Sequence, residues 1–332
     1  MYTLYGKEID LSILKDGYDI DVRVARHNKA RSLIETGSIE ILRACPVCFS
    51  TDVKELQKVF SYLYKQCICC GSVFLSDVPS EKAMEVLHSS NEYSEDYKKL
   101  LSRKEVGKRI RTIGIPKADF IMKNVNVNKK TVLDIGCGLC EVGIVLKNCG
   151  AKYIGLETNS TVATFMKDNY NLDIRTSYYS SENSLSEKID LILMFNILEH
   201  IPNPSGMLSS FSSMQKLGDH IVCEVPRVPS ISLYTDILFP ELVHRFLHPP
   251  YHVVLYSDLG LDMLFSRYGY VPVAKWMYGL DFIQLYKVLE KKLEGFKNSL
   301  LATELYKNHE AIQKVFDEKN LGDYLLGIYV KE

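Results

Sequence analysis

Val132-Leu-Asp-Ile-Gly-Cys-Gly-Leu-Cys140 is the stretch on which the fold turns. An apolar run meets an acidic side chain and two close glycines, the pattern of a buried strand that turns sharply into a helix. Gly136 and Gly138 carry no side chain, so a ligand can approach the backbone at the carboxyl end of that strand. Twenty-one residues beyond Gly136, Glu157 ends a second apolar run, Tyr153-Ile-Gly-Leu-Glu157. A carboxylate in that place can accept both hydroxyls of a ribose. Asp134, Gly136, Gly138 and Glu157 together outline a nucleoside pocket.

The turn also says which nucleoside. The dinucleotide fingerprint G-x-G-x-x-G asks for a third glycine where this chain has Glu141. A carboxylate there opposes a pyrophosphate at a helix N-terminus. A carrier without phosphate, such as S-adenosylmethionine, tolerates it, and Asp134 suits that molecule's ammonium group.

Working outward, short apolar runs alternate with helical patterns from Thr131 onward, the order of repeated βα units. Strands are expected at 131–135, 153–157, 190–195, 220–225 and 271–277, with a final edge strand over 322–330. Helices are expected near 141–148, 160–169, 204–216 and 257–268, where Ser257 reads as an N-cap. The fold class is therefore α/β, a doubly wound Rossmann-like seven-stranded sheet with an N-terminal zinc-ribbon module and a helical linker. The boundaries that follow are an N-terminal extension (1–40), the ribbon (41–78), the linker (79–127) and the sheet domain (128–332). The sheet domain carries a cap insertion (226–256) and a helical insertion (280–319). Within the linker, helix is expected over 92–124 with a break near Pro116.

Cys45-Pro-Val-Cys48 and Cys67-Ile-Cys-Cys70-Gly71 form C-x2-C-x18-C-x2-C, a spacing that lets two knuckles bring four thiolates around one Zn²⁺. Each knuckle needs a residue that accepts positive φ after its second cysteine. Gly71 supplies it in the second, whereas Phe49 holds the place in the first. Cys69 does not keep the two-residue gap and is left out. Four thiolates fill the shell of Zn²⁺, so the expected metal is structural.

Asp134-Ile-Gly-Cys-Gly138, Glu157 and Phe195-Asn-Ile-Leu-Glu-His-Ile-Pro-Asn-Pro204 resemble the successive motifs of class I S-adenosylmethionine-dependent methyltransferases, over about residues 128–279 plus the last strand. The ribbon, a helix and Asn91-Glu-Tyr-Ser-Glu-Asp-Tyr97 ahead of that core are similar to zinc-ribbon methyltransferases that tailor sugars of antibiotics and bacterial surface glycans. The resemblance implies S-adenosyl-L-methionine as cofactor, Tyr93 and Tyr97 in its lid, and a sugar or nucleotide-sugar as acceptor. It also implies an adenine contact near Thr176–Tyr179 and mainly structural roles for Glu199 and His200. By topology Asn196 faces the methyl group. The family commonly has a third glycine where Cys140 stands, and a side chain there is expected to narrow the pocket.

Methyl transfer asks mostly for alignment, with a base only where the acceptor must lose a proton. The connection 226–256 follows the carboxyl end of a strand, where doubly wound folds place their substrates. It gathers His244, His248 and His252 as candidate catalytic bases, Arg245 as a clamp for an anionic group and Tyr234 as a further acceptor contact. The resemblance also places a histidine at position 252. The bland alternative for any one of these histidines is packing or capping.

Bulk composition narrows the remaining classes. The 332 residues carry 40 basic and 41 acidic side chains, a net charge of −1, which leaves no global field for nucleic acid or an anionic membrane. Hydrophobic residues at 46% and charged residues at 24% are ordinary for a globular chain. No stretch nears the ~18 to 20 apolar residues of a membrane span, and the first ten residues lack the apolar core of a signal peptide. A cytoplasmic protein is expected, its nine cysteines reduced. An RNA methyltransferase and a non-catalytic scaffold with the same fold are the alternatives.

Overall fold

The computed structural model describes residues 1–6, 28, 30, 39–89, 99–179, 187–242 and 246–332. In chain order the strands are β1 (Tyr2–Tyr5), β2 (Ile39–Ile41), β3 (Val53–Val59), β4 (Tyr62–Cys67), β5 (Val73–Leu75), β6 (Asp77–Pro79) and β7 (Thr131–Ile135). They continue with β8 (Lys152–Leu156), β9 (Asp173–Arg175), β10 (Leu191–Phe195), β11 (His220–Pro226), β12 (Val254–Leu255), β13 (Tyr270–Tyr278) and β14 (Tyr324–Lys331).

The large sheet runs β1-β13-β14-β11-β10-β7-β8-β9. Its centre is parallel: β7 pairs with β8 and β10, and β10 with β11. β14 lies antiparallel between β11 and β13. The apolar runs of the central strands have no polar alternation because both faces are covered. Val132, Leu191 and Leu193 pack into one core, Leu133, Ile192 and Met194 into the other. Each such aliphatic side chain contributes about 1.5–3 kcal/mol by leaving water.

Among the described residues the sheet has eight strands, not the expected seven. The additional one is β1 from the N-terminal extension, parallel to β13 in register Tyr2 to Ala274 and Tyr5 to Met277. It covers the open edge that β13 would otherwise present, and the Trp276 indole N–H donates to Gly6 O at 2.7 Å. β9 is the seventh, which the six strands placed from sequence leave out. Three residues give too short an alternation to recognise.

The ribbon is not separate from the sheet domain. β3, β4 and β5 form an antiparallel sheet whose fourth strand, β12, comes from the cap insertion. Ser257 accepts from Gly260 N–H at 2.8 Å as the N-cap of the helix Asp258–Ser266, and its hydroxyl donates to Cys70 O. Arg267 donates to Val47 O at 3.1 Å and lies 4.3 Å from the Phe49 ring centre.

In the linker, the helix Arg103–Arg109 continues through a π turn, Ile110–Gly114, into the helix Ile115–Asn124. The expected break at Pro116 does not occur, because the proline falls in the first turn after the π segment, where its missing N–H matters least. A Cβ on Gly114 would lie 2.4 Å from Glu141 O, so this glycine lets the linker press against the helix Glu141–Asn148. The insertion forms the helices Asp281–Lys292, Leu300–Lys307 and His309–Glu318 around Phe282, Ile283, Tyr286, Phe296 and Ala302. Among the described residues no helix is long and apolar enough to cross a membrane.

Candidate active site

β7 and β10 lie side by side while their neighbours run outward in opposite directions, so the sheet's order reverses between them. Such a switch point opens a crevice at the carboxyl ends of the strands. A cavity of about 400 Å³ lies there, and Asp134, Gly136, Gly138, Glu157 and Asn196 all line it. Five of the seven cofactor residues expected from sequence thus share one wall. Tyr93 and Tyr97 lie outside the described residues.

The turn after β7 is built by its φ angles. Gly136 (+63°) and Gly138 (+50°) take the left-handed region, and a Cβ on Gly136 would stand 2.3 Å from Ile197 Cδ1. Cys140 (+53°) is in the same region, a conformation that costs an L-residue roughly 1–2 kcal/mol and explains a glycine's preference for the place. Its side chain does not narrow the cavity. The thiol is 1% exposed, packs beside Gly138 O and does not line the cavity. The expected constriction is corrected: the departure from glycine strains the backbone and leaves the pocket open.

Glu157 is fixed by the chain it faces. One carboxylate oxygen accepts Gly138 N–H at 2.9 Å and the other Asn159 N–H at 2.8 Å. Burial raises its pKa, and these N–H groups oppose the rise. Lone pairs remain for two hydroxyls. Asp134 accepts the Tyr153 hydroxyl at 2.8 Å. Burial pushes its pKa up to about 7, against that hydrogen bond. Tyr153 reaches it because residue 143 is glycine, where a Cβ would lie 2.1 Å from the ring.

Lys117, from the linker, was not foreseen. It lines the cavity, donates to Glu224 Oε1 at 2.7 Å and stands 5.0 Å from the Phe195 ring centre. The Asn196 amide donates to the same oxygen at 3.1 Å, and the Tyr278 hydroxyl to Glu224 Oε2 at 2.6 Å. Lys117 and Glu224 are 107 residues apart, with nothing local in the sequence to link them. Arg109 pairs with Glu141 at 2.5 Å on the cavity wall. Ser177, Tyr178 and Tyr179 line the cavity within the segment expected near adenine.

The candidate catalytic and substrate residues are placed differently. His244 and Arg245 lie outside the described residues. Tyr234 is 49% exposed on the helix Ile231–Leu238 and does not line the cavity, because it occupies the solvent side of that helix. His248 and His252 do not line it either; their rings meet edge to face behind His200, with His252 5.0 Å from His200 and 5.9 Å from His248. Among the described residues, the histidines that reach the cavity are His88, from the helix Glu81–Ser89, and His200. Burial holds His200 down to about 4 and His88 down to about 3, so neither is a base poised near neutral pH.

The four cysteines meet as their spacing requires. Cys45 and Cys70 Sγ are 3.7 Å apart, Cys48 and Cys67 Sγ 3.4 Å, and all four lie within 4.8 Å of one another. Four sulfurs at ~2.3 Å from one Zn²⁺ would stand about 3.8 Å apart. Phe49 (φ +65°) and Gly71 (φ +78°) both take the left-handed turn, and their N–H groups donate to Cys45 O and Cys67 O. Cys69 is exposed and outside the group.

The sequence pattern of a methyltransferase-domain family matches residues 87–275. The chain is 25% identical over 182 residues to a ubiquinone biosynthesis O-methyltransferase of Pseudoalteromonas translucida, covering 49% of this chain and 77% of that one. It is 24% identical over 154 residues to its namesake in Pseudomonas fluorescens, covering 43% and 66%. Among solved structures, a magnesium protoporphyrin IX methyltransferase from Synechocystis aligns with 12% identity and a TM-score of 0.47, over 73% of this chain and 96% of that one.

Proposed function

The chain belongs to this methyltransferase-domain family and is an S-adenosylmethionine-dependent methyltransferase, and from that premise we propose that its acceptor is a hydroxyl of a small molecule, a sugar or nucleotide-linked sugar. The observation that carries the cofactor assignment is Glu157, held by two backbone N–H groups with its remaining lone pairs available to a ribose. On this reading Asp134 meets the ammonium, Gly136 and Gly138 give the amino-acid tail close approach, and Tyr178 flanks adenine. Asn196, anchored by Glu224, faces the methyl group. Tyr93 and Tyr97 would cover the cofactor, and His244 and Arg245 would serve the acceptor.

The cofactor supplies a sulfonium methyl group; the protein's part is alignment and exclusion of water. Lys117 and Glu224 neutralise each other beside the cavity, which limits any fixed charge near the sulfonium. Zn²⁺ at Cys45, Cys48, Cys67 and Cys70 would hold the ribbon against the cap and take no part in transfer. A cavity of about 400 Å³ lies in the range of small-molecule sites, and a net charge of −1 speaks against RNA. A phenolic hydroxyl is the second reading, favoured by the names of the two O-methyltransferases above.

The test is calorimetric titration with S-adenosylhomocysteine, followed by methyl-labelled S-adenosylmethionine with panels of nucleotide-sugars and dihydroxyphenols. Binding with label on a nucleotide-sugar is the expected result. Label on phenols alone selects the second reading. No binding at millimolar concentration, or tight salt-sensitive binding of tRNA with label on it, overturns the proposal.

A further inference from the structure

Behind the cavity wall, two imidazoles and a carboxylate converge from segments fifty residues apart. Glu199 and His200 lie on the 3-10 turn Leu198–His200 that follows β10, and His252 precedes β12. The Val253 N–H donates to Glu199 O at 2.7 Å and locks the two segments together. One ligand atom from each of Glu199, His200 and His252 lies within 4.8 Å of the others, and His200 Nε2 is 3.8 Å from Glu199 Oε1.

Two features separate this group from ordinary core packing. Glu199 is 1% exposed, and its Oε2 has no hydrogen-bond partner among the described residues. Burying a carboxylate oxygen without a partner is expensive, and buried charges are normally paired or bound to a metal. Both rings, moreover, are oriented from behind. His200 Nδ1 donates to Tyr251 O at 2.8 Å and His252 Nδ1 to Phe246 O at 2.9 Å. With Nδ1 protonated, Nε2 carries the lone pair. A backbone carbonyl that fixes tautomer and ring angle in this way is the usual second layer of a metal-bound histidine.

We propose that Glu199, His200 and His252 form a second metal site, distinct from the four cysteines, for a divalent first-row transition ion. Two imidazoles and one carboxylate suit Mn²⁺, Fe²⁺, Co²⁺, Ni²⁺ or Zn²⁺ and leave coordination positions open. Ligand atoms ~2.1 Å from one ion stand about 3.0–3.4 Å apart, so the three, now within 4.8 Å of one another, close by up to roughly 1.8 Å on binding. His200 lines the cavity, which puts the open positions on the side where an oxygen of the acceptor would enter. That last role rests on the methyltransferase reading; the site itself does not.

The experiment uses the full chain preloaded with one equivalent of Zn²⁺, then titrated with Co²⁺ by absorption spectroscopy and calorimetry, with S-adenosylhomocysteine titrated in parallel. One further equivalent of Co²⁺, without the intense absorption of cobalt–thiolate bonds, is expected. Glu199→Gln and His252→Asn should each weaken that binding at least tenfold while circular dichroism and S-adenosylhomocysteine affinity stay as in the parent. The proposal is overturned if the parent takes up no Co²⁺ at millimolar concentration, or if folded variants bind it as well as the parent. Cobalt binding without S-adenosylhomocysteine binding would keep the metal site and sink the cofactor assignment. The converse would do the opposite.

Discussion

Asp134 shows how a single side chain can report on the cofactor. Burial pushes its pKa from 3.8 to about 7, so between those values the folded protein holds a proton that the unfolded chain has released. The carboxyl therefore favours folding less as pH rises through that range, and its penalty is complete above about pH 7. A bound ammonium reverses the preference, because it favours the ionised form. Cofactor binding at pH 6 should then release up to one proton, and affinity should rise with pH until it levels off near pH 8. Calorimetry in buffers of different ionisation enthalpy measures this. Asp134→Asn should abolish both the proton release and the slope; a slope retained in that variant would remove Asp134 from the ammonium. That Asp134, Gly136, Gly138 and Glu157 come together at one cavity was legible from their spacing. Cys140 was legible as a departure, but its direction was not, since only the backbone angle decides whether a side chain points at the ligand or the core.

At the scale of elements, the ribbon is fused to the cap. β12 completes its sheet, the Cys70 carbonyl accepts from the Ser257 hydroxyl, and a Cβ on Gly260 would lie 2.2 Å from Ser72 Oγ. If Zn²⁺ organises the knuckles, its loss should loosen the start of the helix Asp258–Ser266 as well as the ribbon. Cys45→Ala should lose the equivalent held by the thiolates, seen as loss of the intense cobalt–thiolate absorption when Co²⁺ takes the place of zinc, and lower the Tm by roughly 5–15 °C, as expected for several kcal/mol in a protein of this size. Cys69→Ser should change neither. Cobalt substitution and thermal melts check both, and an undiminished cobalt–thiolate absorption in Cys45→Ala would refute the assignment. The knuckle spacing was readable in the sequence. The docking was not, because β12 is two residues long and has no pattern of its own.

At the scale of the whole molecule, the linker is tied to the sheet by a buried charge pair. Lys117 and Glu224 are 7% and 2% exposed, and a lone buried charge costs far more than a satisfied pair yields. Lys117→Met should therefore destabilise the protein by about 3–5 kcal/mol. Adding Glu224→Gln should recover much of that loss. Urea unfolding of the two variants tests it, and a fully stable Lys117→Met would show that Glu224 finds another partner. The same pair holds Lys117, and the linker helix that carries it, at the cavity wall.

The sequence by itself determined the parallel α/β core, the positions of β7, β8, β10, β11, β13 and β14, the cavity shared by Asp134, Gly136, Gly138 and Glu157, and the meeting of four cysteines. Each of these is written locally, as a run of apolar residues, a turn that needs glycine or a fixed gap between ligands. Only the tertiary structure decided that β1 closes the sheet, that Lys117 reaches Glu224, that Tyr234 points to solvent, and that His88 and His200 reach the cavity while His248 and His252 stand behind them. Those outcomes depend on which distant segments pack together and on how deeply they bury a polar group, quantities that no spacing along the chain records.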